Sequence, residues 1–240
     1  NLNGKLRVSI HKTNTEIKTI LIDDRFTRIH GSLELELVQL YQMKNENSLA
    51  KNRLESIIAD YPRTETSAEA YYMLGEIAIN ENWDLDDAEK QYSQVTREYR
   101  KSQYTPTANL RVKQIKSYND SKSSIIELRK ELLAKVNIDT TNFDSTLVAK
   151  PNKVDSHVNY ESLANHYYNL GELEAFHFNR PKESILNFLM IVDSLPKTSQ
   201  YSKSLFTSSY ICHQEGDSTL AVSLRDSLLD QFPRSEYAEY

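Results

Sequence analysis

The chain has 240 residues, of which 39% are hydrophobic and 26% charged, and its net charge is −5. This length suffices for one or two domains with a substantial core, and an acidic chain has no basic surplus to displace counterions, which excludes general nucleic-acid and anionic-membrane binders. The single cysteine, Cys212, allows no internal disulfide, and no apolar run reaches the roughly 20 residues of a transmembrane helix.

Residues 1–30 fit two interpretations. A helix pair is predicted by a capping box at Thr13 and Glu16 and by a preceding apolar face at Leu2, Leu6 and Ile10. A β-hairpin is predicted instead by the alternation of Leu6, Val8 and Ile10. We favour the helix pair because the segments that follow are helix pairs.

From residue 31 onward, apolar residues recur at spacings of three and four, which is typical of amphipathic helices. The pattern predicts helices at about 31–44, 48–60, 67–81, 85–100, 105–118, 121–135, 157–178, 181–194, 200–214 and 217–231. Predicted N-caps are Asn47 or Ser48 for the second of these and Asp84 or Asp86 for the fourth. Proline lies in two predicted first turns, at Pro106 and Pro181.

The periodicity fails in one internal segment. Residues 136–156 are polar, rich in Asn, Asp, Thr and Lys, and contain Pro151. A long segment without periodicity inside a compact domain is uncommon, so it indicates a linker or long loop. We therefore predict an N-terminal block at residues 1–135 and a C-terminal block at 157–240.

One stretch, Tyr61–Ile77, recurs along the chain. A shift of 134 places Pro62-Arg63-Thr64 on Pro196-Lys197-Thr198, and a shift of 96 places Tyr71–Ile77 on Tyr167–Leu173. Related turns begin at Tyr61, Tyr99, Leu195 and Phe232, with spacings of 38 and 37 between neighbours. A period of this size indicates repeated helix pairs.

The units resemble the tetratricopeptide repeat, whose pattern is an aromatic residue, Leu-Gly, a small residue, a second aromatic residue and a terminal proline. One unit matches at Tyr71, Leu74-Gly75, Ala88 and Tyr92, and another at Tyr167, Leu170-Gly171, Ser184, Phe188 and Pro196. An earlier unit has Val38 in place of the glycine, and the last has Ser208-Ser209 for Leu-Gly and Arg225 for an aromatic residue. The resemblance implies an all-α fold, an α-solenoid of antiparallel helix pairs in two repeat blocks.

Gly75 lies in the middle of a predicted helix. Glycine there costs roughly 1 kcal/mol relative to alanine, so its presence predicts that another part of the backbone passes close by.

The turns that lead into helices at Tyr61–Ile77 and Leu195–Ile211, extended by Phe232–Ala238, further resemble a branch of this family. That branch comprises bacterial cell-envelope proteins of the BamD and Tol–Pal-associated type. The resemblance implies a non-enzymatic scaffold that holds other proteins at the periplasmic face of the outer membrane. Such proteins are often tethered by a lipidated N-terminal cysteine, so a lipid anchor here would lie outside this sequence. The alternative is a peptide-binding adaptor, independent of the envelope and cytoplasmic, that recognises a short extended segment or chain terminus.

In stacked helix pairs the first helix of each pair lines the concave face, so the positions two before and two after the repeat Leu point into the groove. These predicted partner-binding residues are Tyr72, Glu76, Tyr168, Glu172, Phe206 and Tyr210. Aromatic residues beside polar ones suit the binding of an extended peptide or a partner helix. The alternative is that the aromatic side chains pack against neighbouring helices.

We find no pattern for catalysis, a cofactor or a metal, so no enzyme activity is expected. The six histidines lack metal-ligand spacing, although Glu174 and His177 share one helical face. Three aspartates resemble the start of a calcium loop, but the glycine and glutamate that such a loop requires are absent at its sixth and twelfth positions. Helix capping explains Asp84, Asp86 and Asp87 better.

Overall fold

The computed structural model describes residues 12–141 and 156–238, with side chains for 12–133 and 160–238. In these ranges every regular element is helical, which confirms the all-α prediction. The α-helices are α1 (12–20), α2 (His30–Met43), α3 (Asn47–Asp60), α4 (Glu65–Ile77), α5 (Leu85–Glu98), α6 (Thr105–Thr141), α7 (Ser156–Phe176), α8 (Pro181–Ser194), α9 (Gln200–Gln214) and α10 (Ser218–Gln231). Shorter helical turns lie at Asp24–Ile29, Ala78–Asn82 and Glu236–Ala238.

Two predicted segments fall partly outside the described residues. The first is the N-terminal segment, in which residues 1–11 carry the alternative helix and hairpin patterns and lie outside the described residues. Residues 12–20 of this segment are helical. The other is 142–155, most of the predicted linker, whose first residues 136–141 belong to α6.

Helix α6 differs from the prediction because it is a single helix where the sequence predicts two, at 105–118 and 121–135. The predicted break is held helical by tertiary contacts. Tyr118 donates to Glu174 (2.9 Å), and Ser121 accepts a hydrogen bond from Asn169 (2.8 Å). Packing thus outweighs the weak helix propensity of the intervening Asn-Asp pair.

Three predicted helix starts are confirmed, at Asp84, Pro106 and Pro181, and two are wrong. Pro106 is the second residue of α6, and Thr13 of the predicted capping box lies inside α1. Asp84 accepts from the backbone N–H of Asp87 at 2.9 Å, and Pro181 is the first residue of α8. The predicted cap of α3 at Asn47 or Ser48 is wrong, because both residues lie inside the helix and the preceding Glu46 makes no side-chain cap.

The contacts divide the chain into two compact units, residues 1–115 and 116–240, and the division falls inside α6. The predicted boundary at 136–156 falls mostly outside the described residues and stays a prediction. The combination of the helix pairs into a solenoid stays a prediction.

In unit 1 the helices pack consecutively, α2 on α3, α3 on α4 and α4 on α5. A core of buried apolar residues joins the first three of these helices at Leu35, Val38, Ala50, Leu54, Ile57, Ala70, Leu74 and Ile77. In unit 2 the order is α7 on α8, α8 on α9 and α9 on α10, with a core at Tyr201, Leu205, Cys212, Ala221, Leu224 and Leu228. Both units therefore repeat one motif, the antiparallel helix pair.

Both mid-helix glycines, Gly75 and Gly171, lie against a side chain of the paired helix, whereas the sequence predicted backbone beside Gly75. A Cβ atom added at Gly75 would lie 2.6 Å from a ring carbon of Tyr92, and one added at Gly171 would lie 2.7 Å from the ring of Phe188. The close neighbour is thus an aromatic ring of the second helix and not a backbone segment. Each ring fills the space of the absent side chain.

The four pairs use two lengths of turn. In the second and third pairs, the left-handed residues Trp83 and Asn179 follow the helix glycine by eight positions (φ 50° and 54°). Both turns close with the same backbone hydrogen bond, Asp84 to Ala78 at 2.9 Å and Arg180 to Glu174 at 2.7 Å. In the first and last pairs, Val38 and Ser209 stand at the position of the helix glycine. The left-handed residues Asn45 and Gly216 follow them by seven positions. The turn thus absorbs a one-residue difference between repeats.

A carboxylate on each of two helices holds the start of the next repeat, and we call this contact the carboxylate clamp. Glu65 accepts from the Ser102 hydroxyl (3.0 Å) and the Gln103 N–H (3.1 Å). Glu161, at the equivalent position 96 residues later, accepts from the N–H (3.0 Å) and hydroxyl of Ser199. Each clamp satisfies backbone donors that precede or begin the next helix.

Candidate protein-interaction surface

The predicted groove residues of unit 1 are engaged by the chain itself. The Tyr72 ring lies 5.5 Å from that of Tyr92 and 5.0 Å from that of Tyr104. Glu76 accepts from the Tyr92 hydroxyl at 2.7 Å and lies 3.4 Å from Nε of Arg111 in α6. Burial and the Glu76 carboxylate raise the pKa of Tyr92, which keeps its hydroxyl a donor. Packing between helices accounts for these side chains.

The next pair of predicted residues divides between core and solvent. Tyr168 is buried, its hydroxyl lies 3.1 Å from that of Thr207, and its ring contacts Phe188 at 5.1 Å. Lys203 places its ammonium 4.2 Å from the Tyr168 ring centre, within cation–π range. Glu172 is exposed. Tyr168 is therefore a core residue, because α9 covers it.

The last pair, Phe206 and Tyr210, lies beside an open apolar surface on α9 and α10. The Tyr210 side chain is 51% exposed, and Val222 and Leu229 are 44% and 43% exposed. The surface surrounds a cavity of about 340 Å³, which we call the α9–α10 cavity, lined by Phe206, Ser209, Tyr210, His213, Ala221, Val222, Arg225, Leu228, Leu229, Tyr237 and Ala238. Of the predicted aromatic residues, Tyr210 is thus the one that solvent reaches most easily.

Sequence reasoning missed the contribution of α10. Val222, Arg225 and Leu229 are spaced by three and four residues and form a second stripe beside the core stripe of Ala221, Leu224 and Leu228. This doubled stripe was the signal available in the sequence, since a helix with one buried face needs only one stripe.

Arg225 supplies positive charge at the α9–α10 cavity. Its Nη2 atom lies 3.2 Å from Oδ1 of Asp226, and the two side chains are 59% and 62% exposed. An ion pair this exposed contributes little, so the guanidinium can exchange partners at small cost.

A second cavity of unit 2, of about 220 Å³, lies among side chains of α6, α7 and α8. It is apolar and includes Leu133 and Tyr160, which are 63% and 43% exposed. These two residues border the segment whose side chains are outside the described ranges, so we assign no ligand to this cavity.

Polar side chains also join α6 to α7, but they form a structural network. Ser121 lies 3.2 Å from Nδ1 of His166, yet it is only 4% exposed, which leaves no path for a substrate to its hydroxyl. Glu174 accepts from Tyr118 and from Asn187 (2.7 Å). Among the residues described, no three His, Cys, Asp or Glu side chains lie together as metal ligands.

Glu174 gives the protein a testable pH dependence. Burial raises its pKa in spite of the hydrogen bonds from Tyr118 and Asn187. A carboxyl group whose pKa is higher in the folded state binds its proton more tightly there. It stabilises the folded protein fully below its unfolded pKa of about 4.3, and this stabilisation is lost as the pH rises through its folded pKa. We therefore expect Glu174→Gln to become progressively more stable relative to wild type as the pH rises above about 4.3, measured by urea unfolding.

The matched control for this experiment is Glu172→Gln, which changes an exposed carboxylate on the same helix. Its stability difference from wild type should stay nearly constant over the same pH range. A constant difference for Glu174→Gln as well would mean that the buried carboxylate does not couple proton binding to folding.

Comparison of the chain with protein-family models and with curated proteins found no match. The resemblance to tetratricopeptide proteins therefore stays a prediction from the repeat residues. No helix in the described ranges combines the length and apolar character that a membrane crossing requires.

Proposed function

We propose that this protein is a non-enzymatic helical-repeat scaffold that holds other proteins, in an assembly at the periplasmic face of the bacterial outer membrane. The observation that carries the proposal is the open apolar surface around the α9–α10 cavity. The envelope location rests on the resemblance of the repeated turns and helices, at Tyr61–Ile77 and Leu195–Ile211.

The composition of this surface matches that of a protein-binding site. Three apolar or aromatic side chains, Tyr210, Val222 and Leu229, are each more than two-fifths exposed around one concavity. Contiguous apolar surface costs free energy in water, and it marks interaction sites when polar groups surround it. Tyrosine and arginine, here Tyr210 and Arg225, are also the residue types that contribute most to interface energies.

The direct test is capture from bacterial envelope extracts on immobilised protein, with mass spectrometry of the retained proteins. Wild type should retain outer-membrane or secretion components, and Tyr210→Ser should retain at least about tenfold less, as expected for a central interface residue. The control is Leu186→Ser, which removes a 65% exposed leucine of α8 outside the α9–α10 cavity. Equal retention by all three proteins would contradict this surface as the binding site.

The peptide-adaptor alternative is favoured by Arg225, whose guanidinium could bind a terminal carboxylate beside an apolar cavity. In that case the retained proteins would be soluble ones with a common C-terminal motif. Amidation of a peptide with that motif would then abolish its binding.

A further inference from the structure

In unit 1, the first part of α6 covers the surface formed by α4 and α5. The Tyr104 ring packs on Tyr72 at 5.0 Å just before this helix begins, and Arg111 pairs with Glu76. Ala108 and Ile115 on the same face of α6 are fully buried. The stripe of α6 that covers this surface thus has a small residue, Ala108, a charged residue three positions later, Arg111, and an aliphatic residue seven positions after Ala108, Ile115.

In unit 2, α9 meets α7 and α8 in the equivalent way. The residues 96 positions after the stripe of α6 are Ser204, Thr207 and Ile211. All three are buried, and Thr207 contacts Tyr168 at 3.1 Å. The same type of surface is therefore covered twice in this chain by a helix with a small residue, a polar residue and an aliphatic residue at the same spacing, and the polar residue is charged only in α6.

The surface of α9 and α10 continues this series. Phe206 occupies the position of Tyr72, and the Tyr237 ring packs on it at 5.7 Å as Tyr104 packs on Tyr72. Beside these rings, Tyr210, Val222 and Leu229 are exposed at the surface of α9 and α10. The α9–α10 cavity, lined by Phe206, Tyr210 and Arg225, occupies the equivalent surface.

The charge at this surface is opposite to that of its counterpart in unit 1. There, Glu76 accepts from Tyr92 and attracts Arg111. Here Tyr210 stands at the Glu76 position and Arg225 at the Tyr92 position. A helix that covers this surface would therefore need an acidic residue where α6 has Arg111.

We propose that the α9–α10 surface binds an amphipathic helix of a partner protein, docked as α6 docks on α4 and α5. The helix carries a small residue, an acidic residue and an aliphatic residue at positions i, i+3 and i+7. This proposal rests on the proposed scaffold function and specifies its partner.

The test uses this chain's own helix as the probe. A synthetic peptide of residues 104–118 is made with Arg111→Glu, and a second peptide keeps Arg111. A lactam bridge between Lys113 and an Asn109→Glu substitution holds both helical, because isolated helices of this length are marginal in water. Binding to the full chain is followed by fluorescence anisotropy.

We expect the Arg111→Glu peptide to bind wild type about fivefold more tightly than the Arg111 peptide, the scale of one exposed ion pair. Arg225→Glu should reverse this order, and Tyr210→Ser should weaken both peptides. Absence of binding, or equal affinities for wild type and Arg225→Glu, would overturn the docking mode.

The extract experiment separates the two proposals. If partners are retained through Tyr210 but neither peptide binds, the scaffold function stands and the helix mode fails. If the peptides bind and no partner is retained, the scaffold function fails. Sedimentation that shows a dimer abolished by Tyr210→Ser would instead identify a second copy of the chain as the occupant and overturn the partner helix.

Discussion

Replacing Gly75 by leucine is expected to lower the free energy of unfolding of unit 1 by about 3 kcal/mol. The reason is steric, since an added Cβ alone would lie 2.6 Å from the Tyr92 ring. Tyr92 is fully buried, and the hydrogen bond from its hydroxyl to Glu76 at 2.7 Å opposes movement of the ring. The gain in helix propensity, about 1 kcal/mol, is too small to offset this overlap.

Unit 1 offers a specific probe for this measurement, because Trp83 is the single tryptophan of the chain. Its fluorescence during urea unfolding reports on the unit that contains Gly75. Gly75→Ala should give an intermediate loss, and Lys90→Leu at an exposed site on α5 should change stability little. Unchanged stability of Gly75→Leu would show that the two helices separate easily at this point.

Tyr168→Ala is expected to destabilise unit 2 by about 3–5 kcal/mol, the range for removal of a buried aromatic side chain. The substitution leaves a cavity beside Phe188 and removes the partner of the Thr207 hydroxyl. Tyr168→Phe keeps the ring and should cost about 1 kcal/mol, the net contribution of one hydrogen bond. Tyr210→Ala, at a position that is 51% exposed, serves as the control and should change stability little.

Cys212 gives a readout for unit 2, because it is the single cysteine and is buried in the core of α9 and α10. Its rate of modification by a thiol reagent in urea reports the opening of that core. Tyr168→Ala should lower the urea concentration at which Cys212 becomes reactive, and Tyr210→Ala should leave it unchanged. If Tyr168→Ala instead left this midpoint unchanged and reduced partner capture, Tyr168 would be an interface residue.

Local pattern predicted the helices well because each buries one stripe of apolar residues, and such a stripe is visible in the sequence. It also located the close approach at Gly75, although not its neighbour, since the contact with Tyr92 depends on how the second helix is rotated. The predicted break before Ser121 failed because contacts with Asn169, almost 50 residues later, keep α6 helical.

The groove prediction shows the same limit more sharply. Tyr72, Tyr168 and Phe206 occupy equivalent positions, so the sequence gives no reason to treat them differently. Tyr168 is in the core because α9 follows it, whereas Phe206 borders an open cavity. Whether a groove aromatic residue binds or packs is therefore decided by the next helix along the chain.

The carboxylate clamp has a consequence for the engineering of longer arrays from this protein. Glu65 belongs to the pair of α4 and α5 but supports the start of α6 at Ser102 and Gln103, and Glu161 of α7 supports the start of α9 at Ser199. A helix pair excised at its helix ends would keep the carboxylate that supports the helix after it. It would lose the carboxylate of the preceding pair that supports its own first helix. Duplicated modules should therefore be joined only behind a pair whose first helix begins with an acidic residue at the position of Glu65 or Glu161, so that the next helix finds its clamp at every junction.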